Sequence, residues 1–373
     1  MRIKSISTNN PVDVQKFINF PFDLYKGSDL WVPPFVNEMK TVLDRQKHPY
    51  YQHSDAEFFL AESETDVLGR IAILHQRNYS AHHLAQYGFF YYFDVVDDIQ
   101  VSRALFEAAL EWARKRKIEI ILGPKGFARS SGIGLLVEGY EFLPAVGMNY
   151  NYPYYGNFIE DVGFTKWTDH LSGYMTADQE LDPRIHEAAD KVKQRGNFKV
   201  VSFKTRAEMR KLIPEINKLN HEAFQANPGY YPSTQAEFEM LARNMIQILE
   251  PGLPKLILKD DEVAGFIIAY RNISRAIQRA GGKIWPTGWI ELLKEKKLSR
   301  IVDLNGVGLL PKYQGMGANA LLYSELEKTI RSANFEKAEF VQIDELNYKS
   351  KSDMERAGVI WNKRHRTYQL SIS

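Results

Sequence analysis

The stretch VGLLPKYQGMGANALLYSEL, residues 307–326, decides the fold of this chain. Its apolar start reads as a strand, its middle as a tight turn and its end as a helix with an apolar stripe at Leu322 and Leu326. Gly315 and Gly317 allow the backbone to turn sharply and to approach a ligand without interference from a Cβ. The helix that follows begins with N–H groups that have no intrahelical acceptor, and its dipole points the same way, so the turn is a natural seat for a phosphate. The spacing is too short for a Walker A loop, and no GxGxxG is present.

Outward from this stretch, the second half reads as an ordered series. LILKDDEVAGFIIAY (256–270) is a hairpin, IVDLNGVGLL (301–310) a strand, and Leu322, Leu326, Ile330 and Ala333 mark a helix face. AEFVQI (338–343) is a strand, a short helix ends at Gly358, and RTYQLSI (366–372) closes the series. The first half has the same order. FFLAESETDVLGRIAIL (58–74) is a hairpin with Gly69 where the second has Gly265, YGFFYYFDVV (87–96) a strand, and 102–117 an amphipathic helix. IEIILGP (118–124), a short helix ending at Gly163-Phe164 and a strand near 167–175 complete it. A repeat of this period predicts two folding units on one plan, 1–178 and 179–373, joined by a polar helix within 176–196. Each half carries its own insertion: GPKGFARSSGIGLLVEG (123–139) in the first, and a segment with Trp285 and Trp289 in the second. Long loops on such a scaffold predict ordered lids over a cleft.

Composition narrows the chemistry. The 373 residues exceed the usual size of one core, 44% are apolar and 25% charged. Forty-eight basic against 46 acidic side chains leave a net charge of +2, so no nucleic-acid partner is expected, although a local basic patch is compatible with it. With no cysteine, thiolate metal sites, disulfides and a Cys nucleophile are excluded. The nine histidines are scattered without HExxH spacing, so no metal is expected. No apolar run reaches the length of a membrane span, and the first residues lack a signal-peptide core, which predicts a cytoplasmic protein. Aromatic residues are 13% of the chain and cluster in GFFYYF (88–93) and YNYPYY (150–155).

Gln314-Gly-Met-Gly317-Ala-Asn319, preceded by a strand and Pro311, resembles motif A of the GNAT superfamily of acyl-CoA-dependent N-acyltransferases. Asn347 and Gly358 resemble the frame of the next family motif, and the element order is similar to that of GNAT domains. The whole chain looks like a tandem GNAT protein. The LWVPP segment, the PYY…GF stretch and the final RHRTY are similar to features of bacterial two-domain GNAT-like proteins. The resemblance implies an α/β (α+β) fold of two GNAT-like domains, each a mixed, mostly antiparallel sheet flanked by helices. It implies that the backbone of Gln314, Gly315, Met316, Gly317, Ala318 and Asn319 holds the CoA pyrophosphate. Val307 and Leu309 would pair with pantetheine, Asn347 would contact the pantetheine arm, and the Leu309 amide would polarise the acyl carbonyl.

Three positions depart from the family pattern. Motif A ends on Asn319. Met354 stands where many GNAT enzymes carry a Tyr that protonates the leaving thiolate, which leaves Tyr348 or water for that role. The first half has Asp97-Asp98-Ile-Gln100 at its motif A position, which predicts a degenerate domain that does not bind CoA. Asp303 lies eleven residues before Gln314, where the histone acetyltransferase branch carries a catalytic Glu, and is the candidate base. On a regularly alternating strand Asp303, Asn305, Val307 and Leu309 would share one face. Tyr230 and Tyr231, in the loop where GNAT enzymes shape the acceptor pocket, and Trp285 and Trp289, as a hydrophobic lid, are candidate substrate contacts.

The reading that results is a GNAT-type N-acetyltransferase. It would use acetyl-CoA or another acyl-CoA as co-substrate and no metal, and would acylate a primary amine of a small molecule or peptide. A long-chain acyl or aminoacyl transferase on the same fold, and a non-catalytic acyl-CoA-binding or interaction protein, are the alternatives.

Overall fold

Both expected hairpins form, and both place a glycine where two strands crowd together. The computed structural model describes every residue except Ser130, Gly196, Asn197, Pro228 and Ser373, so part of the 123–139 insertion and the end of the expected linking helix lie outside the described residues. In the first hairpin β2 (Asp55–Glu62) pairs with β3 (Val67–His75), and β1 (Arg2–Ser5) adds to its edge. A Cβ at Gly69 would stand 2.8 Å from Leu105 Cδ1. Then follow β4 (Tyr87–Val95), the helix Ile99–Lys115, β5 (Ile120–Gly123), β6 (Leu135–Glu138), the helix Tyr155–Asp161 and β7 (Thr165–Thr176). The expected helix face appears: Leu105, Ala109, Trp112 and Ala113 are buried in one core with Phe90, Phe106 and Phe164.

The second series repeats this plan. It contains the helix Pro183–Gln194, β8 (Phe198–Ser202), β9 (Lys255–Lys259), β10 (Glu262–Arg271) and β11 (Ile301–Leu309). The helix Ala318–Ser332, β12 (Lys337–Asp344), the helix Tyr348–Ala357 and β13 (Ile360–Ser371) complete it. A Cβ at Gly265 would lie 2.7 Å from the Gly308 carbonyl, the counterpart of the crowding at Gly69. A second core gathers Ile267, Val302, Leu304, Leu322, Leu326 and Met354.

The chain divides into two compact units that are not contiguous in sequence. Unit 1 is Met1–His170 with Ile273–Glu295 and Lys363–Ser373; unit 2 is Leu171–Asn272 with Lys296–Asn362. Long strands cause part of this. In unit 1, β13 pairs antiparallel with β5, Tyr368 opposite Gly123 and Ser371 opposite Ile120. In unit 2, the end of β7 lies beside β12. The last strand of each series thus pairs with strands of the other series, which a linear reading of two halves does not reveal. The third exchanged piece is the second insertion. Its Ser274 donates to the Pro144 carbonyl at 2.8 Å, and the Val36 N–H donates to the Gly282 carbonyl at 3.0 Å.

Within each sheet the same irregularity recurs. On β3 the three residues Arg70–Ala72 face four on β4, Tyr91–Asp94. On β10 the three residues Ile267–Ala269 face four on β11, Leu304–Val307. Each is a β-bulge, with positive φ at Tyr92 (47°) and at Gly306 (113°).

Candidate acyl-CoA site

The bulge at Gly306 sets the geometry of unit 2. Beyond it, Val307 pairs with Ile267 and Leu309 with Gly265, while before it Leu304 pairs with Ala269 and Asp303 with Tyr270. Cross-strand partners share a face. The extra residue therefore shifts the alternation, and Val307 and Leu309 lie with Leu304 on the side of the helix Ala318–Ser332. Asp303 lies on the opposite side, with Tyr270. The expectation of one shared face for Asp303, Asn305, Val307 and Leu309 is thus corrected: the bulge separates the candidate base from Val307 and Leu309, the two positions expected to pair with pantetheine.

β11 and β12 run parallel only from Ile301–Lys337 to Leu304–Phe340. Past that point the ladder ends, and 305–309 and 341–344 form an unpaired V among the described residues. The Leu310 N–H donates to the Ala264 carbonyl at 2.9 Å, so Gly308 and Leu310 turn their backbone groups toward β10. Val307 and Leu309, at alternate positions, turn theirs into the gap. The Leu309 carbonyl accepts from Gln314 Nε2 at 3.3 Å, which ties the strand to the glycine turn.

At the open end of the V lies that turn. Gly315 (φ 76°) and Gly317 (φ 84°) both occupy the left-handed region that favours glycine. A Cβ at Gly315 would meet nothing within 4 Å, and Met316 is 45% exposed, so this part of the loop is open. Gly317 is different: its Cβ would lie 2.6 Å from Val192 Cγ2, so it also lets the helix Pro183–Gln194 pack closely. The helix Ala318–Ser332 has no side-chain cap. Ala318 is buried, and Asn319 has a buried Oδ1 without a partner among the described residues. An uncapped helix start beside a bare glycine suits an anionic group. Lys312 and Tyr313 brace the loop by bonding Glu262 at 2.7 and 2.6 Å.

Asn347 and Gly358 are the two ends of one helix. The Asn347 side-chain Oδ1 caps it by accepting from the Ser350 N–H at 3.2 Å, leaving Nδ2 as a donor. Gly358 ends it at φ 89°. Tyr348 is exposed, whereas Met354 is buried and lines an apolar cavity of about 70 Å³ with Leu304, Tyr323, Leu326 and Phe340. Burial pushes the Tyr323 phenol up, with Asp353 nearby adding to it; burial also raises the Asp353 carboxyl, against the Arg356 guanidinium.

On the opposite face Asp303 is fully buried, and Asn272 Nδ2 donates to both of its oxygens at 3.0 Å. Asn305 donates to the Tyr270 hydroxyl at 3.2 Å, and burial, then the Asp303 charge, pushes that phenol up. Tyr270 and Asn272 were not singled out from sequence; their position at the end of the hairpin, opposite Asp303, is the signal that could have found them. The helix Ile213–Phe224 packs on this face through Phe224 and Phe266, with ring centroids 6.1 Å apart. Tyr230 and Tyr231 are buried, and the Tyr230 hydroxyl shares a hydrogen bond with His221 Nδ1. Trp285 and Trp289 belong to unit 1 and are exposed.

Unit 1 holds the corresponding features in a filled state. Val95, opposite Gly69, is the counterpart of Leu309 opposite Gly265. Its N–H donates to the Tyr155 hydroxyl at 3.0 Å, and its carbonyl accepts from the Tyr154 hydroxyl at 2.8 Å. Asp98 caps the helix Ile99–Lys115 by accepting from the Gln100 N–H at 2.8 Å. The backbone N–H and helix start that have no side-chain partner in unit 2 are satisfied here by the protein's own side chains, whereas the strand carbonyl is bonded by a side chain in both units.

No family model matches the chain. It is 28% identical over 374 residues to Protein YghO of Escherichia coli, covering 97% of this chain and 94% of that one. It is 27% identical over 377 residues to the bacterial ceramide synthase of Caulobacter vibrioides, covering 98% and 97%. A solved tandem GNAT protein from the clavulanic acid biosynthesis pathway superposes with a TM-score of 0.57 at 12% identity, covering 100% of this chain and 98% of that one. The chain has the fold of a tandem GNAT protein, two mixed, mostly antiparallel α/β units of GNAT type.

Proposed function

We propose that the chain is an N-acyltransferase that moves an acyl group from acyl-CoA to a primary amine, with unit 2 as the working domain and unit 1 as a degenerate copy. The observation that carries this reading is the V between β11 and β12, ending on an uncapped helix start at Gly315–Gly317. An extended pantetheine arm fits such a gap because it can pair with backbone as a strand does. The Val307 and Leu309 groups would hold it, and the amides from Gln314 to Asn319 would hold the pyrophosphate. Asn347 would reach the arm through its remaining amide.

The bound thioester supplies an activated carbonyl. The chain's contribution is to orient it, with the Leu309 N–H as hydrogen-bond donor to the carbonyl oxygen. As the amine nitrogen bonds to the acyl carbon and the C–S bond breaks, the nitrogen's proton passes to a base, for which Asp303, buried on the Tyr270 face of β11 and bound by Asn272, is the candidate. The departing sulfur takes a proton from Tyr348, Tyr323 or water, since Met354 has none to give.

A longer acyl donor is favoured by one observation, the 27% identity over nearly the whole chain to a protein named a ceramide synthase. A ceramide is the amide of a fatty acid with a long-chain amino alcohol, so its amide bond is the kind formed in the proposed reaction. Incubating the protein with acetyl- or palmitoyl-CoA and a panel of primary amines that includes a long-chain amino alcohol tests both readings. Thiol release with a matching amide product supports the proposal, and the donor that turns over selects between them. Cofactor-dependent stabilisation with no amide from any pair would leave a binding module instead.

A further inference from the structure

The helix Gly288–Leu298 turns its carboxylates inward and much of its apolar surface outward. Surface helices ordinarily do the reverse. Here Glu295 is buried and Glu291 half-buried, and both are bound by Arg279, the latter at 2.6 Å. The opposite side carries Trp289 (42% exposed), Ile290 (39%) and Leu293 (52%), and Trp285 just before the helix is 73% exposed. These side chains are presented by a built turn. A Cβ at Gly288 would lie 1.9 Å from the Lys283 carbonyl, and the Trp289 indole N–H donates to the Pro286 carbonyl at 2.8 Å. The segment is anchored to unit 1 as well, with Gln278 donating to the Asp29 and Trp31 carbonyls at 2.9 Å.

Charge indicates what would cover this face. Lys283 and Lys294 flank the apolar side chains, and Lys296 and Lys297 follow in the same helix, all exposed. Arg279 binds both carboxylates of the segment, and Lys294 shares Glu291 at 2.7 Å while remaining 58% exposed. Indoles and aliphatic side chains ringed by ammonium groups complement the boundary between anionic headgroups and acyl chains. No helix among the described residues is long and apolar enough to cross a membrane. We propose that this segment docks unit 1 on an anionic lipid surface, with Trp285, Trp289, Ile290 and Leu293 in the headgroup boundary and Lys283 and Lys294 on lipid phosphates. The proposal does not depend on acyl transfer, and its test uses no substrate.

The test is co-sedimentation of the full chain with vesicles of one part phosphatidylglycerol to two parts phosphatidylcholine, against vesicles of phosphatidylcholine alone. The wild type should pellet with the anionic vesicles and much less with the neutral ones or in half-molar salt. Lys283→Ala with Lys294→Ala should weaken binding roughly 30-fold, given the attraction of each cation near such a surface. Trp285→Ser with Trp289→Ser and Leu293→Ser should weaken it at least ~10-fold without altering the melting temperature, because these side chains are exposed. If the triple variant folds poorly, Trp285→Ser alone is assayed together with quenching of tryptophan fluorescence by brominated lipid. Failure of the wild type to pellet, or undiminished pelleting of the variants, overturns the proposal. So does a wild-type dimer that the variants dissolve in the absence of vesicle binding, which would make the face a protein interface.

Discussion

Met316→Glu isolates the proposed pyrophosphate seat from the packing around it. Met316 lies between the two left-handed glycines and is 45% exposed, so the substitution leaves no cavity and displaces no core residue. A carboxylate just before an uncapped helix start is neutral or slightly stabilising to the free protein. Toward a bound diphosphate it is repulsive. At roughly 6 Å and an effective dielectric of about 40, chosen for a half-exposed site, each phosphate charge costs about 1.4 kcal/mol. Two charges amount to about 3 kcal/mol, or roughly a 100-fold rise in Kd.

The readout is thermal unfolding with and without acyl-CoA. At 100 times the wild-type Kd the cofactor contributes about 2.7 kcal/mol, which is a rise of roughly 5–10 °C. At the same concentration the variant sits near its own Kd, gains about 0.4 kcal/mol and shifts by about 1 °C. Met316→Gln, of similar size and uncharged, should keep the wild-type shift. A full shift in Met316→Glu would place the anion elsewhere and refute the reasoning. No wild-type shift with either a short or a long acyl-CoA would remove the acyl-CoA reading altogether.

Three further outcomes follow from the geometry. Asp303→Asn keeps one acceptor oxygen for Asn272 but removes the proposed base, so turnover measured by thiol release should fall about 10²–10⁴-fold while the cofactor-induced melting shift is retained. Gly317→Ala combines a positive φ with a Cβ 2.6 Å from Val192 Cγ2 and should lower stability by about 1–3 kcal/mol in a melt; pairing it with Val192→Ala should cost less than the sum of the two changes. His365, fully buried, is pulled down to about 4, first by burial and then by the His170 and Lys363 charges against the Asn149 carbonyl bond. A folded pKa below the unfolded value of about 6.5 means that its contribution is complete above that value and is lost as pH falls toward 4, on the order of 3 kcal/mol; His365→Gln should flatten the fall in melting temperature over that window.

What the sequence disclosed was local. The hairpins, the amphipathic helices and the glycine turn are set by residues close together in the chain, and Asn347 and Gly358 sit at the helix ends that their residue types favour. The exchange of β7 and β13 and the docking of Ile273–Glu295 on unit 1 depend on pairings between distant segments, which leave no periodicity to read. The bulge at Gly306 was hidden for another reason. One extra residue is invisible in an alternating pattern, yet it moves Asp303 away from the face of Val307 and Leu309. Without that shift Tyr270 and Asn272 could not be recognised as its companions.

The two bulges also explain why one unit is open and the other closed. Each bulged strand runs on past its last parallel pair, and by alternation Val95 and Leu309 turn an N–H and a C=O away from the hairpin strand. Buried backbone groups must find partners. In unit 1 the YNYPYY cluster supplies them: Tyr155 takes the Val95 N–H, Tyr154 gives to the Val95 carbonyl, and Asp98 caps the neighbouring helix. This accounts for an aromatic cluster that composition alone could only count. In unit 2 Met354 and Tyr348 stand on the corresponding helix, the glycines leave the helix start bare, and the Leu309 N–H faces the gap. The difference between a self-filled copy and a receptive one thus rests on a few side chains over a shared backbone. Converting Tyr154 and Tyr155 to Phe should destabilise unit 1 by stranding the Val95 groups. It should not create a second acyl-CoA site, because the Asp98 carboxylate would still occupy the helix start.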